Sequence, residues 1–311
     1  MEETQMPFDD LQSFLTALES EGDLKRVKVQ VDPELEITEI AGRMLREGGP
    51  ALIFENVAGS AYPLAINFMA SSHRIEIALG RHPEELGEEL AHFVEGINPP
   101  NVKALWNMRR TGLKLLNLRP KTVRKAPVQE KTESNVDLTS LPTLKCWPDD
   151  GGRFITLGLA VSADPLSDTY NMGIYRMQIY DSTTTGMHMQ IQKGGGFHYH
   201  AAEKSGHPLE MAAVLGGDPA LILAAVMPLP EGMDEIAFSG LLRGRRTRVA
   251  KSATLGLRVP ANAEFILEGT VPPQIRRLEG PFGDHYGHYS EASDFPVFNV
   301  RAITRRRDPI Y

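Results

Sequence analysis

The chain has one cysteine, Cys146, among 311 residues, so no disulfide can form within it. Cys146 sits in the stretch LKCWPDDGG with no base beside it and reads as a small buried residue rather than a reactive thiol. No run of about 18 apolar residues occurs, which argues against a transmembrane helix. No apolar leader is evident either, and a reducing cytoplasm is the expectation. Positive charge is not in excess: 33 Lys and Arg stand against 40 Asp and Glu, a net charge of -7. That balance disfavours a nucleic-acid partner, and the short run Arg305, Arg306, Arg307 reads as a solvated strand end. Internal repeats and low-complexity segments are missing, as are a P-loop and a dinucleotide fingerprint.

What is present is an ordinary globular composition, 41% hydrophobic and 23% charged, with length for about two domains. The first hundred residues alternate helix and strand patterns. Phe8, Leu11, Leu15 and Leu18 share one helical face, with Asp9 or Asp10 as cap and Gly22 as terminator. VKVQV (27–31) alternates as a strand. Ile37, Ile40, Ala41, Met44 and Leu45 form a second helical stripe, stopped by Gly48, Gly49 and Pro50. ALIFENV and YPLAINF read as strands, and PEELGEELAHFVEGI as a helix with Leu86, Leu90 and Phe93 inward. This pattern predicts a layered α/β domain.

Residues 97–130 read as a basic connector punctuated by Pro99, Pro100, Pro120 and Pro127. Beyond about residue 131 the apolar runs shorten and turns rich in Gly, Asp and Pro separate them. FITLGLAVSA, MGIYRMQIYD, ALILAAVMPL, RVAKSATLGLRVP, AEFILEGTV and FPVFNVRAIT read as strands of a barrel or sandwich. One helix is expected near Leu209–Val214. The sequence ends just after a strand signal, an end that reads more like a cut than a natural terminus.

Three segments carry candidate chemistry. In NMGIYRMQIYD, alternation puts Ile174, Arg176 and Gln178 on one face and Tyr175, Met177 and Ile179 on the other. An inward Arg176 would need an acidic partner; an outward one would be solvated. In TGMHMQIQKGGGFHYH, the glycines 194–196 after Lys193 could cradle an anion or form a hairpin turn. His198 and His200, spaced for one strand face, could serve zinc, although cysteines and an H-E-x-x-H helix are lacking. RRLEGPFGDHYGHYS places Glu279 and Asp284 around a Gly-Pro-Phe-Gly turn, followed by His285, Tyr286 and His288. Two acids and two histidines suggest a metal site, yet Glu279 and Asp284 are also the obvious partners for Arg176. Asp234 and Glu235 could simply offset a helix dipole.

Six segments, in order, carry a resemblance: DLQSFLTALESEGDLKRV, VDPELEITEIAGRMLREGGPALIFENVAG, CWPDDGGRFITLGL, NMGIYRMQ, GLLRG and EGPFGDHYGHY. Together they resemble the UbiD family of prenylated-FMN-dependent decarboxylases, named for the 3-polyprenyl-4-hydroxybenzoate decarboxylase of ubiquinone synthesis. The resemblance spans residues 7–311. It implies an α+β protein: an N-terminal α/β domain over 1–120, then a split β-barrel flavin-binding domain over 121–311. The family's C-terminal α/β domain, which supplies most dimer contacts and moves against the flavin domain, has no counterpart in this sequence. A homo-oligomer is expected only if that domain is present.

The resemblance also implies ligands and roles. The cofactor would be prenylated FMN, made by a separate flavin prenyltransferase, with a divalent metal (manganese or magnesium) and often potassium. Asn171 and Glu235 match the family's metal ligands. Gln192 stands where the family often has a further metal-binding histidine. Ile174, Tyr175 and Arg176, then His188, Met189 and Gln190, then Lys193 and Gly194 match the flavin-contacting segments. Arg176, Glu279 and Asp284 match the catalytic network, with Asp284 as proton donor and Glu279 paired with Arg176. The implied activity is non-oxidative, reversible decarboxylation of an aromatic or α,β-unsaturated carboxylic acid. An inactive or truncated relative that binds flavin without turnover, and a split-barrel FMN reductase, are the alternatives.

Overall fold

The computed structural model describes residues 8–88, 116–133, 135–167, 169–189, 194–229, 232–284 and 286–311. Helix α1 (Leu11–Ser20) starts at Asp10, whose side chain accepts from the Ser13 N–H at 2.8 Å, and buries Leu11, Phe14, Leu15 and Leu18. Strand β1 (Leu24–Val27) pairs in parallel with β2 (Ala51–Phe54), and β3 (Leu64–Ile66) closes the sheet antiparallel to β2. Helix α2 (Glu36–Arg46) makes the crossover, with acids in its first turn and arginines in its last. Helix α3 (Ser72–Leu79) follows, ended by Gly80 at φ 67°. The expected strand 27–31 lies earlier, because Val31 makes only an isolated bridge to Val57. Of the expected helix 83–97, residues 83–88 are helical; Leu90 and Phe93 lie outside the described residues.

The second domain is built on an antiparallel sheet. Its strands are β4 (Leu159–Ala163), β5 (Tyr170–Ile174), β6 (Thr184–Gly186), β7 (Leu209–Leu215), β8 (Phe265–Val271), β9 (Arg276–Glu279) and β10 (Ser293–Arg305). The order is β6-β10-β8-β7-β4-β5, with β9 and the short strand Lys131–Glu133 pairing along the long β10. The central strands are apolar on both faces. Met211, Ala213, Leu215, Phe265 and Leu267 point into one core, while Ala212, Val214 and Ile266 point into another. A bulge between Glu268 and Gly269 bends β8 against β10; a Cβ at Gly269 would lie 1.9 Å from the Asn299 carbonyl oxygen. The last residues fold back onto the first domain: Tyr311 N–H donates to the Pro63 carbonyl, and Ala65 N–H to the Tyr311 carbonyl.

Three segments differ from the sequence expectation. Leu209–Leu215 is a strand rather than a helix, since its alternate residues feed two separate cores. Residues Pro219–Val226, expected as a strand, form helix α5. Asp218 caps it and Pro219 opens it, and Asp218 is itself buried against Arg243 at 2.5 Å. The glycines 194–196 are not a hairpin but the first turn of helix α4 (Gly194–Lys204). His198 and His200 are therefore not on one strand face. His198 is buried on Ser162 Oγ at 2.9 Å, and His200 is exposed.

Candidate active site

Two polar clusters are anchored on the segment Tyr170–Gln178. Strand β5 runs to Ile174 and then breaks, so Tyr175 and Met177 enter the barrel core while Arg176 and Gln178 leave it. Arg176 meets Glu279, with Nε 2.9 Å from Oε1 and a terminal nitrogen 3.3 Å from Oε2. The same guanidinium donates to Ser290 Oγ at 3.1 Å and lies 4.8 Å from the centroid of the Phe282 ring. Glu279 is fully buried, and its Oε2 also lies 2.8 Å from His188 Nδ1. Burial pushes the Glu279 carboxyl up, but the hydrogen bonds from His188 and Arg176 and the charge of Arg176 hold it below the usual carboxylate range.

Gln178 secures the turn that presents Glu279. Its amide donates to the Gly151 carbonyl at 2.8 Å and accepts from Gly280 N–H at 2.7 Å. Asp150 completes the clamp, accepting from Cys146, Trp147 and Gly283 N–H groups. Gly283 is required by contact: a Cβ there would lie 2.3 Å from Trp147 Cδ1. Asp284 sits next in a tight hairpin, where its Oδ1 accepts from the N–H groups of Tyr286 at 2.9 Å and His288 at 3.0 Å. The side chain of Asp284 thus shapes the hairpin beside the Arg176–Glu279 pair. Tyr286 and His288 are exposed, and His285 lies outside the described residues. Among the described residues, Glu279, Asp284 and His288 are not grouped to hold a metal at this turn.

The second cluster surrounds Asn171 and Glu235. Glu235 opens helix α6 (Glu235–Arg243), and its Oε2 accepts from Met172 N–H on β5 at 2.7 Å. Burial, with a smaller push from Asp234, raises this carboxyl to about 7. Asn171 Nδ2 is buried without a hydrogen-bond partner among the described residues, and Gly194 of α4 packs so closely that a Cβ would lie 2.0 Å from Asn171 Oδ1. Gly195 N–H donates to the Tyr175 hydroxyl at 3.0 Å. A desolvated carboxylate without a cationic partner among the described residues, beside a carboxamide nitrogen unsatisfied among them, is an oxygen-donor set that suits a hard divalent cation. No group of three or more His, Cys, Asp or Glu is placed to hold a metal among the described residues. Gln190, Gln192 and Lys193 lie outside them.

Other candidates fall away. Burial raises the Cys146 thiol to about 11, which removes it as a nucleophile at neutral pH. An apolar cavity of about 330 Å³ lies between Leu11, Phe68 and Met69 of the first domain and Leu159, Leu215 and Tyr311, away from both polar clusters. No helix among the described residues is long and apolar enough to cross a membrane. Sequence reasoning missed the contact of His188 with Glu279 and the clamp formed by Gln178 and Asp150. Period-two alternation does signal Gln178, which shares a face with Arg176.

An α/β domain leads into a split barrel, where strand β5 and its continuation to Gln178 contact two buried acids, Glu235 and Glu279. Residues 121–311 match the 3-octaprenyl-4-hydroxybenzoate carboxy-lyase Rift-related domain, and residues 15–94 match the N-terminal domain of the same carboxy-lyases. Among solved structures, an evolved dimeric form of the UbiD-class enzyme HmfF from Pelotomaculum thermopropionicum, in complex with prFMN, is 31% identical. The match covers 98% of this chain and 67% of that one, with a TM-score of 0.85. HmfF from the same organism in complex with FMN is 30% identical over 97% of this chain and 64% of that one, TM-score 0.82. The vanillic acid decarboxylase of Sedimentibacter hydroxybenzoicus in closed form is 29% identical over 98% of this chain and 63% of that one, TM-score 0.85. The chain belongs to the UbiD family and spans about two thirds of the length of these solved relatives.

Proposed function

We propose that the protein catalyses the non-oxidative, reversible decarboxylation of an aromatic or α,β-unsaturated carboxylic acid with prenylated FMN and a divalent metal. The observation that carries this reading is the fully buried Glu279, held by Arg176 and His188 at the end of a clamped turn. A charged pair so desolvated is costly to maintain, and its geometry suits acid–base chemistry on a bound molecule. Relatives whose structures hold FMN and prFMN support the choice of cofactor. Prenylated FMN, when bound, supplies the electron sink for the charge left as CO2 departs.

The chain's own residues divide the remaining work. Ile174, Tyr175, Arg176, His188, Met189 and Gly194, with Gln190 and Lys193, would hold the flavin. The N–H groups at the start of α4 suit its phosphate. Asn171 and Glu235 would hold the metal, manganese or magnesium, with Gln192 as an amide ligand in place of an imidazole. Arg176 orients Glu279, and Asp284 delivers a proton to the carbon that loses CO2. A separate flavin prenyltransferase would supply the cofactor.

Reconstitution with prenylated FMN and Mn2+ tests this reading, followed by measurement of CO2 release across a panel of aromatic and cinnamic-type acids. Release from at least one acid, dependent on the flavin, is expected. A fully loaded protein that releases none, or that instead oxidises NAD(P)H, would overturn it.

A further inference from the structure

Glu279 accepts from two side chains, and the second is not explained by the Arg176–Glu279–Asp284 network. His188 Nδ1 lies 2.8 Å from Oε2, the oxygen that Arg176 reaches only at 3.3 Å. The imidazole is held from both sides of its chain. Its ring lies against Phe295, with centroids 4.1 Å apart, and its backbone N–H donates to the Arg176 carbonyl at 3.2 Å. Among the described residues, Gly186 and Tyr180 also face Glu279. Gly186 of β6 lets the strand pass, since a Cβ there would lie 3.0 Å from Glu279 Cγ and 2.7 Å from the Tyr180 hydroxyl. Tyr180 is pushed up to about 12, first by burial and then by the Glu279 charge, so it stays a neutral phenol. Among the described residues, Arg176 and His188 are thus the groups that answer the charge of Glu279.

We propose that His188 is a positioning residue for the acid chemistry: its Nδ1–H fixes Glu279 as an oriented carboxylate against Arg176. This rests on the decarboxylase reading above. An ionised Glu279 has no proton to donate, so the 2.8 Å contact requires Nδ1 to carry the proton in either charge state of the ring. The His188 side chain is 21% exposed, whereas Glu279 is fully buried.

The first test needs no turnover. Nitrogen-15 NMR of histidine-labelled, flavin-free protein at pH 8 should show His188 as the Nδ1–H tautomer, with His188→Asn identifying the signal by subtraction. In Glu279→Gln the tautomer should switch to Nε2–H, because the amide N–H2 turns toward Nδ1 while Arg176 keeps the amide oxygen. A wild-type Nε2–H tautomer, or no change on Glu279→Gln, would overturn the proposal.

The second test is kinetic, on reconstituted enzyme. His188→Asn, whose amide nitrogen can take the Nδ1 position, should keep kcat within about tenfold. His188→Leu should lower kcat about a hundredfold with little change in KM, and move the acid limb of the pH profile up by roughly one unit. Turnover by His188→Leu at the wild-type rate and pH profile would overturn this proposal alone. Absence of turnover in loaded wild-type protein would overturn the decarboxylase reading as well, whatever the tautomer.

Discussion

Removing the guanidinium of Arg176 should destabilise the protein in a pH-dependent way. Glu279 is fully buried and Arg176 is 16% exposed, so Arg176→Met would strand a carboxylate with His188 as its remaining side-chain donor. Breaking a buried pair from one side costs about 3–5 kcal/mol, because the surviving charge is left uncompensated. In the wild type, Glu279 titrates below its ordinary value of 4.5. Its contribution is therefore present above the unfolded pKa and is lost as pH falls through the lower folded value. In Arg176→Met, burial dominates and the folded pKa rises above the unfolded one. The folded variant then holds a proton that the unfolded chain releases, so its stability falls as pH rises from the unfolded pKa toward the new folded pKa. The gap between wild type and variant should widen with pH in that window by at most about 1.4 kcal/mol per unit. Thermal unfolding reads this directly: near pH 7.5 the variant should melt roughly 6–20 °C lower, and at pH 5 distinctly less so. Arg176→Met/Glu279→Gln should recover at least about 1 kcal/mol of the loss, since no buried charge remains. A variant that melts within a degree of wild type at both pH values would refute the reasoning.

Other outcomes follow from the same geometry. Without a bound cation, Glu235 is raised to about 7 by burial, so the folded state keeps its proton while the unfolded chain loses it. Stability should therefore fall as pH rises from about 4.5 to 7, and Glu235→Gln should flatten part of that slope in thermal melts. Asn171→Ala and Glu235→Ala should each lose bound metal by elemental analysis, and flavin by visible absorbance, with the fold retained by circular dichroism. Gly283→Ala should disturb the clamp, because its Cβ would meet Trp147 at 2.3 Å; a loss of about 1–3 kcal/mol in urea unfolding is expected. Gln178→Leu removes both polar anchors of the Gly280 turn and should lower turnover more than it lowers melting temperature.

Much of this was legible in the sequence where periodicity and chemistry agree. The α1 stripe and the faces of 174–179 follow from spacing, because each buries one side, while β2 follows as a short apolar run buried on both sides. The segment 209–215 misleads, since a central strand buried on both faces looks like a continuous apolar run and could equally be helical. Residues 219–226 mislead in the opposite direction: a helix apolar all round shows little amphipathic pattern, and only the Asp218-Pro219 start signals it. At the site, Glu279 and Arg176 could be paired by charge, but His188 could not be assigned to Glu279. A hydrogen bond between residues 91 apart in sequence is set by how β6 and β9 lie along β10, which no local pattern encodes.

Glu279 and Asp284 are proposed to manage the proton at the carbon that loses CO2. The direct measurement is turnover in D2O by the reconstituted enzyme, with the product analysed for deuterium at the carbon that bore the carboxylate. Wild type should place one deuterium at that carbon, and Glu279→Gln should form no deuterated product despite bound flavin. Deuterated product from Glu279→Gln at the wild-type rate would contradict that role.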